Sequence, residues 1–232
     1  MKLRDQSNFK EMRYAESEWF SNFTLGHDEP GGRNWLDEGE KSLGGNETDV
    51  EYHINRWRYR DSIEPSSGQS AAFGCSYTFG YGVNNPWPKL IGVANLGQNG
   101  ASNDMITRLA ISYCETFKPK DIYVLWTFPH RREHINEDGG LDKYRNMSTK
   151  TLDEEFKNRT WRSSYLELSN DKADEYNFTK NKILLNHYCS IYNIELNQAT
   201  IFDFPKDEFP LARDNDHPGA DWHTNVAGHL CE

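Results

Sequence analysis

The chain has 232 residues, 36% hydrophobic and 13% aromatic, with a formal net charge of −10. That length suits one domain with a full core and one sizeable insertion, and a mean hydropathy of −0.89 reads as globular with long polar excursions. The acidic balance, with no block of Lys and Arg to override it, argues against a nucleic acid or an anionic membrane surface as partner.

The first twenty residues are polar and lack the apolar stretch of a signal peptide. No run approaches the roughly 20 apolar residues of a membrane span. A cytoplasmic protein without a membrane span is therefore expected, and the five N-x-[ST] sequons would matter only in a secreted one. Residues 1–50 show no lasting periodicity and read as an irregular extension, mostly loop with short helices, packed on a domain over 51–232. "EYHINRWRY" (51–59) alternates roughly, as a short strand does, and a Ser/Pro/Gly loop separates it from the strand "SAAFGC" (70–75).

From there the pattern is regular. "NPWPKLIG" predicts a short helix with Pro in its first turn. "GVANLG" predicts a short buried strand. "ASNDMITRLAISYCETF" spaces Met105, Ile106, Leu109, Ala110 and Tyr113 as one helical face. "PKDIYVLWTF" is a near-continuous apolar run, the signature of a parallel strand buried on both faces. Polar residues from 129 to about 170 read as a loop insertion. A long helix over 171–192, a strand at "NIELN", a Pro-punctuated loop over 201–213 and a final helix complete the chain. Strands alternating with helices predict an α/β fold: a three-layer α/β/α sandwich on a mainly parallel sheet.

In such sheets reactive groups sit where strands end and helices begin, and Ser76 lies at one of those places. The pattern is not the G-x-S-x-G elbow, because Thr78 stands where the second Gly would be. Spacing alone leaves a structural turn or helix cap as the simpler reading of this serine. Cys75, Cys114, Cys189 and Cys231 are scattered without a C-x-x-C pair, which reads as small buried hydrophobes rather than a zinc ribbon or redox dithiol. "HRREH" (130–134) matches the inverted zinc-protease motif in form, but Pro129 leaves a strand and "NEDGG" ends any helix, so no metal is expected. The six-residue spacing of His217, His223 and His229 also suits no metal cluster. The Trp-rich stretches read as packing under long loops, with platforms for sugar rings as the functional alternative.

"GCSYTFGYGV" resembles block I of the SGNH (GDSL-type) hydrolases, G-D-S-x-T-x-G. "HINRWRYRD" (53–61) resembles the N-x-x-G-x-R stretch upstream of it, "NLGQNGASND" (95–104) resembles block II, and "RDNDHPGADWH" (213–223) resembles block V, D-x-x-H-P. The resemblance covers roughly 53–131 and 210–229. It implies a flavodoxin-like SGNH hydrolase fold and a serine esterase acting on a small-molecule or carbohydrate acyl ester without cofactor, with acetyl esters of sugars as one example. Ser76 would be the nucleophile, His217 the general base and Asp214 its orienting carboxylate. The N–H groups of Ser76 and Gly100 would form part of the oxyanion hole.

Two departures bear on that implication. Cys75 replaces the Asp of G-D-S, which is not the triad carboxylate. The block III Asn, an oxyanion donor, is missing from "VLWTFPHRRE", where Thr127, His130 and Arg131 are the available donors. "HTNVAGH" (223–229) offers a second block V frame with His223 as base, but its carboxylate position falls on Ala220, so His217 is preferred. A non-catalytic SGNH-fold binding or structural protein, and an O-acyltransferase, remain as alternatives.

Overall fold

The structure, a computed structural model, describes residues 33–37, 50–55, 59–61, 65–135, 141–144, 170–212 and 216–231. Alternation along two strands sets its architecture. In β3 (Ala71–Phe73), Ala71 and Phe73 point into one core and Ala72 into the other. In β5 (Asp121–Trp126), Ile122, Val124 and Trp126 join the first core and Leu125 the second. With both faces buried, each of the larger of these side chains (Phe73, Ile122, Val124, Leu125) contributes about 1.5–3 kcal/mol. Together with β4 (Ala94–Asn95) and β8 (Glu195–Thr200) they form a parallel sheet in the order β4-β3-β5-β8.

Helices cover both faces. α3 (Asn103–Phe117) and α4 (Asp171–Tyr192) bury Met105, Leu109, Tyr113, Leu185 and Cys189 in the first core. The short α2 (Trp87–Leu90) and α5 (Ala220–Leu230) bury Trp87, Trp222, Val226 and Leu230 in the second. This is the expected three-layer α/β/α sandwich. The helix boundaries follow local chemistry. Ser102 Oγ accepts the Met105 N–H at 3.1 Å to start α3, and Asn170 Oδ1 accepts the Ala173 N–H at 3.0 Å to start α4. Lys118 and Asn193 end these helices in the left-handed region.

Two stretches differ from the sequence reading. Within 1–50, expected as loop and short helix, Arg33–Asp37 is a strand (β1) paired antiparallel with β2 (Val50–Ile54), so the expected boundary at 50/51 cuts through a strand. A strand whose partner lies some fifteen residues on has no local signature. The rest of 1–49 lies outside the described residues. In the expected insertion, β6 (Arg132–Ile135) and β7 (Leu141–Tyr144) form an antiparallel hairpin. Charged strand residues hid it, and those charges dock it. Arg108 holds Glu133 through two bonds, at 2.7 and 3.2 Å, and Arg132 holds Asp174 at 2.6 Å. Among the described residues no helix is long and apolar enough to cross a membrane.

Gly97 and Gly228 test this packing with opposite signs. A Cβ on Gly97 would lie 2.3 Å from the backbone nitrogen of Phe79, whereas one on Gly228, in α5, meets nothing within 4 Å. In urea titrations Gly97→Ala should lose about 1–3 kcal/mol by overpacking, and Gly228→Ala should gain about 0.5–1 kcal/mol from helix propensity.

Candidate active site

The sheet reverses its winding between β3 and β5, and both strands end there in loops. In open α/β sheets the carboxyl ends at such a point are where ligands bind. β3 runs into Gly74, Cys75 caps the next helix, and Ser76 is the first residue of α1 (Ser76–Phe79). The helix is a single turn, closed by Gly80 at φ 79°. Gly74 is required by contact rather than by conformation, because a Cβ there would lie 2.0 Å from Thr78 Oγ1 and 2.9 Å from the Leu125 carbonyl.

A four-residue helix does not hold itself, and its carbonyls are taken from outside. Asn95 Nδ2 donates to the carbonyls of Thr78 (3.1 Å) and Phe79 (3.4 Å), while Asn95 Oδ1 accepts the Gly97 N–H. Arg60, 5% exposed, donates to the carbonyls of Phe79, Gly80 and Val83, and its guanidinium lies 4.2 Å from the Tyr52 ring centroid. Arg60 and Asn95 belong to the stretches that resemble the upstream motif and block II, but sequence reasoning assigned neither a role. Only a structural contact distinguishes them from surrounding polar residues.

The loops that carry Gly100, Thr127, His130, Arg131 and His217 come to the same edge. The loop carrying Gly100 (φ 71°) is tied to the serine turn by Gln98 N–H donating to the Gly74 carbonyl at 2.9 Å. Among the described residues the N–H groups of Ser76 and Gly100 donate to no protein acceptor. Thr127 follows β5. Its N–H and carbonyl are both bonded to Asn103, whose Nδ2 also reaches the Phe128 carbonyl at 3.3 Å. That amide is spent on backbone, so Asn103 does not replace the missing block III donor. Arg131 donates to Thr127 Oγ1 at 3.1 Å and stacks 4.8 Å from the Phe128 centroid. His130 lies in the same turn, its ring 5.5 Å from Phe128. The "HRREH" segment is turn and strand, so the helical face that its zinc-motif reading needs does not form.

His217 comes from the loop before α5. A bridge between Leu211 and Pro218, with Ala212 N–H donating to the His217 carbonyl at 2.7 Å, pins that loop. The His217 ring packs 5.8 Å from Tyr77 and 5.2 Å from Tyr81, beside the Ser76 helix. Asp214 lies outside the described residues. His223 has a different setting. It is fully buried, its Nδ1 accepts the Trp87 N–H at 3.2 Å, and its Nε2 is buried without a partner. Burial above all, then the charges of Arg60 and His217, pushes its pKa down to about 3. Tyr77, Phe128 and Trp222 complete an aromatic wall, with Tyr77 5.5 Å from Trp222 and 6.5 Å from Phe128.

A scan against protein-family models matches none, and a search of the curated proteins finds no similar sequence.

The depressed pKa of His223 sets a pH dependence. The unfolded histidine binds a proton near pH 6.5 and the folded one does not until about pH 3, so folding stability falls as pH drops through that window. Replacing His223 by Gln should flatten the slope of stability with pH by up to about 1.4 kcal/mol per pH unit between pH 6 and 4, read from urea midpoints.

Proposed function

We propose that the chain is a serine ester hydrolase of the SGNH class. The observation that carries this reading is the convergence, at the switch point, of a serine on a strand-to-helix turn with a histidine from a distant loop. Ser76 sits at the start of α1, and His217 packs against Tyr77, the next residue.

In this reading the Ser76 hydroxyl attacks the ester carbonyl and passes its proton to His217. The carbonyl oxygen becomes an oxyanion facing the N–H groups of Ser76 and Gly100. The intermediate collapses by breaking the bond to the alcohol, which leaves with the proton from His217, and the acyl group stays on Ser76. Water then gives its proton to His217, attacks the acyl-enzyme and releases the acid, and the proton returns to Ser76. Asp214 would hold the imidazole in the tautomer that accepts from serine. A sugar hydroxyl in place of water would make the same chemistry an acyl transfer. The binding-protein reading draws on one observation: the Asn103 amide, which reaches the turn where the block III Asn is missing, is spent on backbone.

A fluorophosphonate probe should label the protein at Ser76, and the protein should turn over p-nitrophenyl acetate. Ser76→Ala should abolish labelling. His217→Ala should lower turnover by about a thousandfold or more with the fold retained by circular dichroism. A folded wild-type protein that neither labels nor turns over would overturn the esterase reading in favour of a binding module.

A further inference from the structure

Arg131 is held in place by its own turn. Its Nη1 donates to Thr127 Oγ1, its backbone N–H donates to the Phe128 carbonyl at 3.2 Å, and the Phe128 ring lies under its guanidinium. Its Nε is buried without an acceptor, and among the described residues no carboxylate pairs with it. The other arginines of this region are neutralised or spent. Arg108 pairs with Glu133, Arg132 pairs with Asp174, and Arg60 serves three carbonyls. Among the described residues no acid meets this arginine, in a chain whose net charge is −10. A guanidinium fixed by stacking and a hydrogen bond is preorganised to bind an anion, because little side-chain freedom is lost on binding.

Its position gives that anion a context. β3 pairs in parallel with β5 as far as Phe73 and Val124, so Thr127, which follows β5, leaves the sheet at the same edge as the turn that carries Ser76. Tyr77, which follows Ser76, lies edge-on to Phe128, and Phe128 also contacts Arg131 and the exposed Phe202 ring, the latter at 5.7 Å. An apolar wall therefore runs from the serine turn to the arginine. Resting on the esterase reading of Ser76, we propose that Arg131 is a specificity residue selecting esters that carry a negative charge a few bonds from the scissile carbonyl. The wall takes the carbon skeleton, and the guanidinium pairs with the carboxylate or other anionic group.

The test compares 4-nitrophenyl hydrogen succinate and glutarate with their neutral methyl esters. Wild type should prefer an anionic ester by about tenfold or more in kcat/KM, mainly through KM, and added salt should shrink the preference. In Arg131→Gln the anionic-to-neutral ratio should collapse toward one, and Arg131→Lys should restore part of it. A wild-type ratio near one, or an equal loss on both esters in Arg131→Gln, overturns the proposal and moves Arg131 to the oxyanion or to a structural role. If neither ester is turned over, the esterase reading fails separately. Calorimetric binding of the same esters to Ser76→Ala protein then decides. Arg131-dependent tighter binding of the anionic ester upholds the selection of charge, and equal binding overturns it.

Discussion

The placement of Ser76 rests on a buried clamp of two side chains. A single helical turn is the least favourable length of helix, since nucleation fixes several residues for one or two hydrogen bonds. Here the turn is held by Arg60, following β2, and Asn95, the last residue of β4, which together take the carbonyls of Thr78, Phe79, Gly80 and Val83. An unpaired buried carbonyl costs about 1–3 kcal/mol, so losing either side chain would release the turn as well as weaken the fold. The guanidinium is kept in the interior by those carbonyls and by the faces of Tyr52 and Phe79. The upstream hairpin thereby acts on the site through Arg60, although it lies outside the parallel sheet.

Topology supplies the rest. In the order β4-β3-β5-β8 the chain steps from β3 to one side and then returns to the other, leaving a crevice between the ends of β3 and β5. Loops after β4 and before α5 reach the same edge. Close backbone approach makes this possible. Gly74 and Gly97 leave room where a methyl group would strike Thr78 or Phe79, and each brings one loop onto the serine turn.

The parallel strands and long helices were legible because their side chains alternate or recur against two buried layers. Ile122, Val124, Leu125 and Trp126 advertise burial on both faces, and Ser102 and Asn170 mark helix starts at their caps. Of the two antiparallel hairpins only β2, within the strand read at 51–59, was legible, and its partner β1 and the β6–β7 hairpin were not. The β6 strand carries charges whose partners lie far along the chain, as the Arg108–Glu133 and Arg132–Asp174 pairs show. The same limit applies at the site. Ser76 and His217 sit in short motifs that can be read locally, whereas Arg60, Asn95 and Asn103 act on backbone groups 16 to 25 residues away. Polar residues with distant backbone partners look like surface residues in one dimension.

The two histidines of the last motif show how burial separates residues that spacing cannot. His217 precedes Pro218 in a pinned loop, with its ring against Tyr77 and Tyr81. His223, six residues later, lies one turn into α5 with no exposed atom, and its Nδ1 takes the first amide of α2. In the proposed esterase reading a base would have to reach the serine hydroxyl and take up a proton, and charging a ring buried beside Arg60 opposes that. His223 instead joins α5 to α2, the helix pair that backs Trp222 against Tyr77.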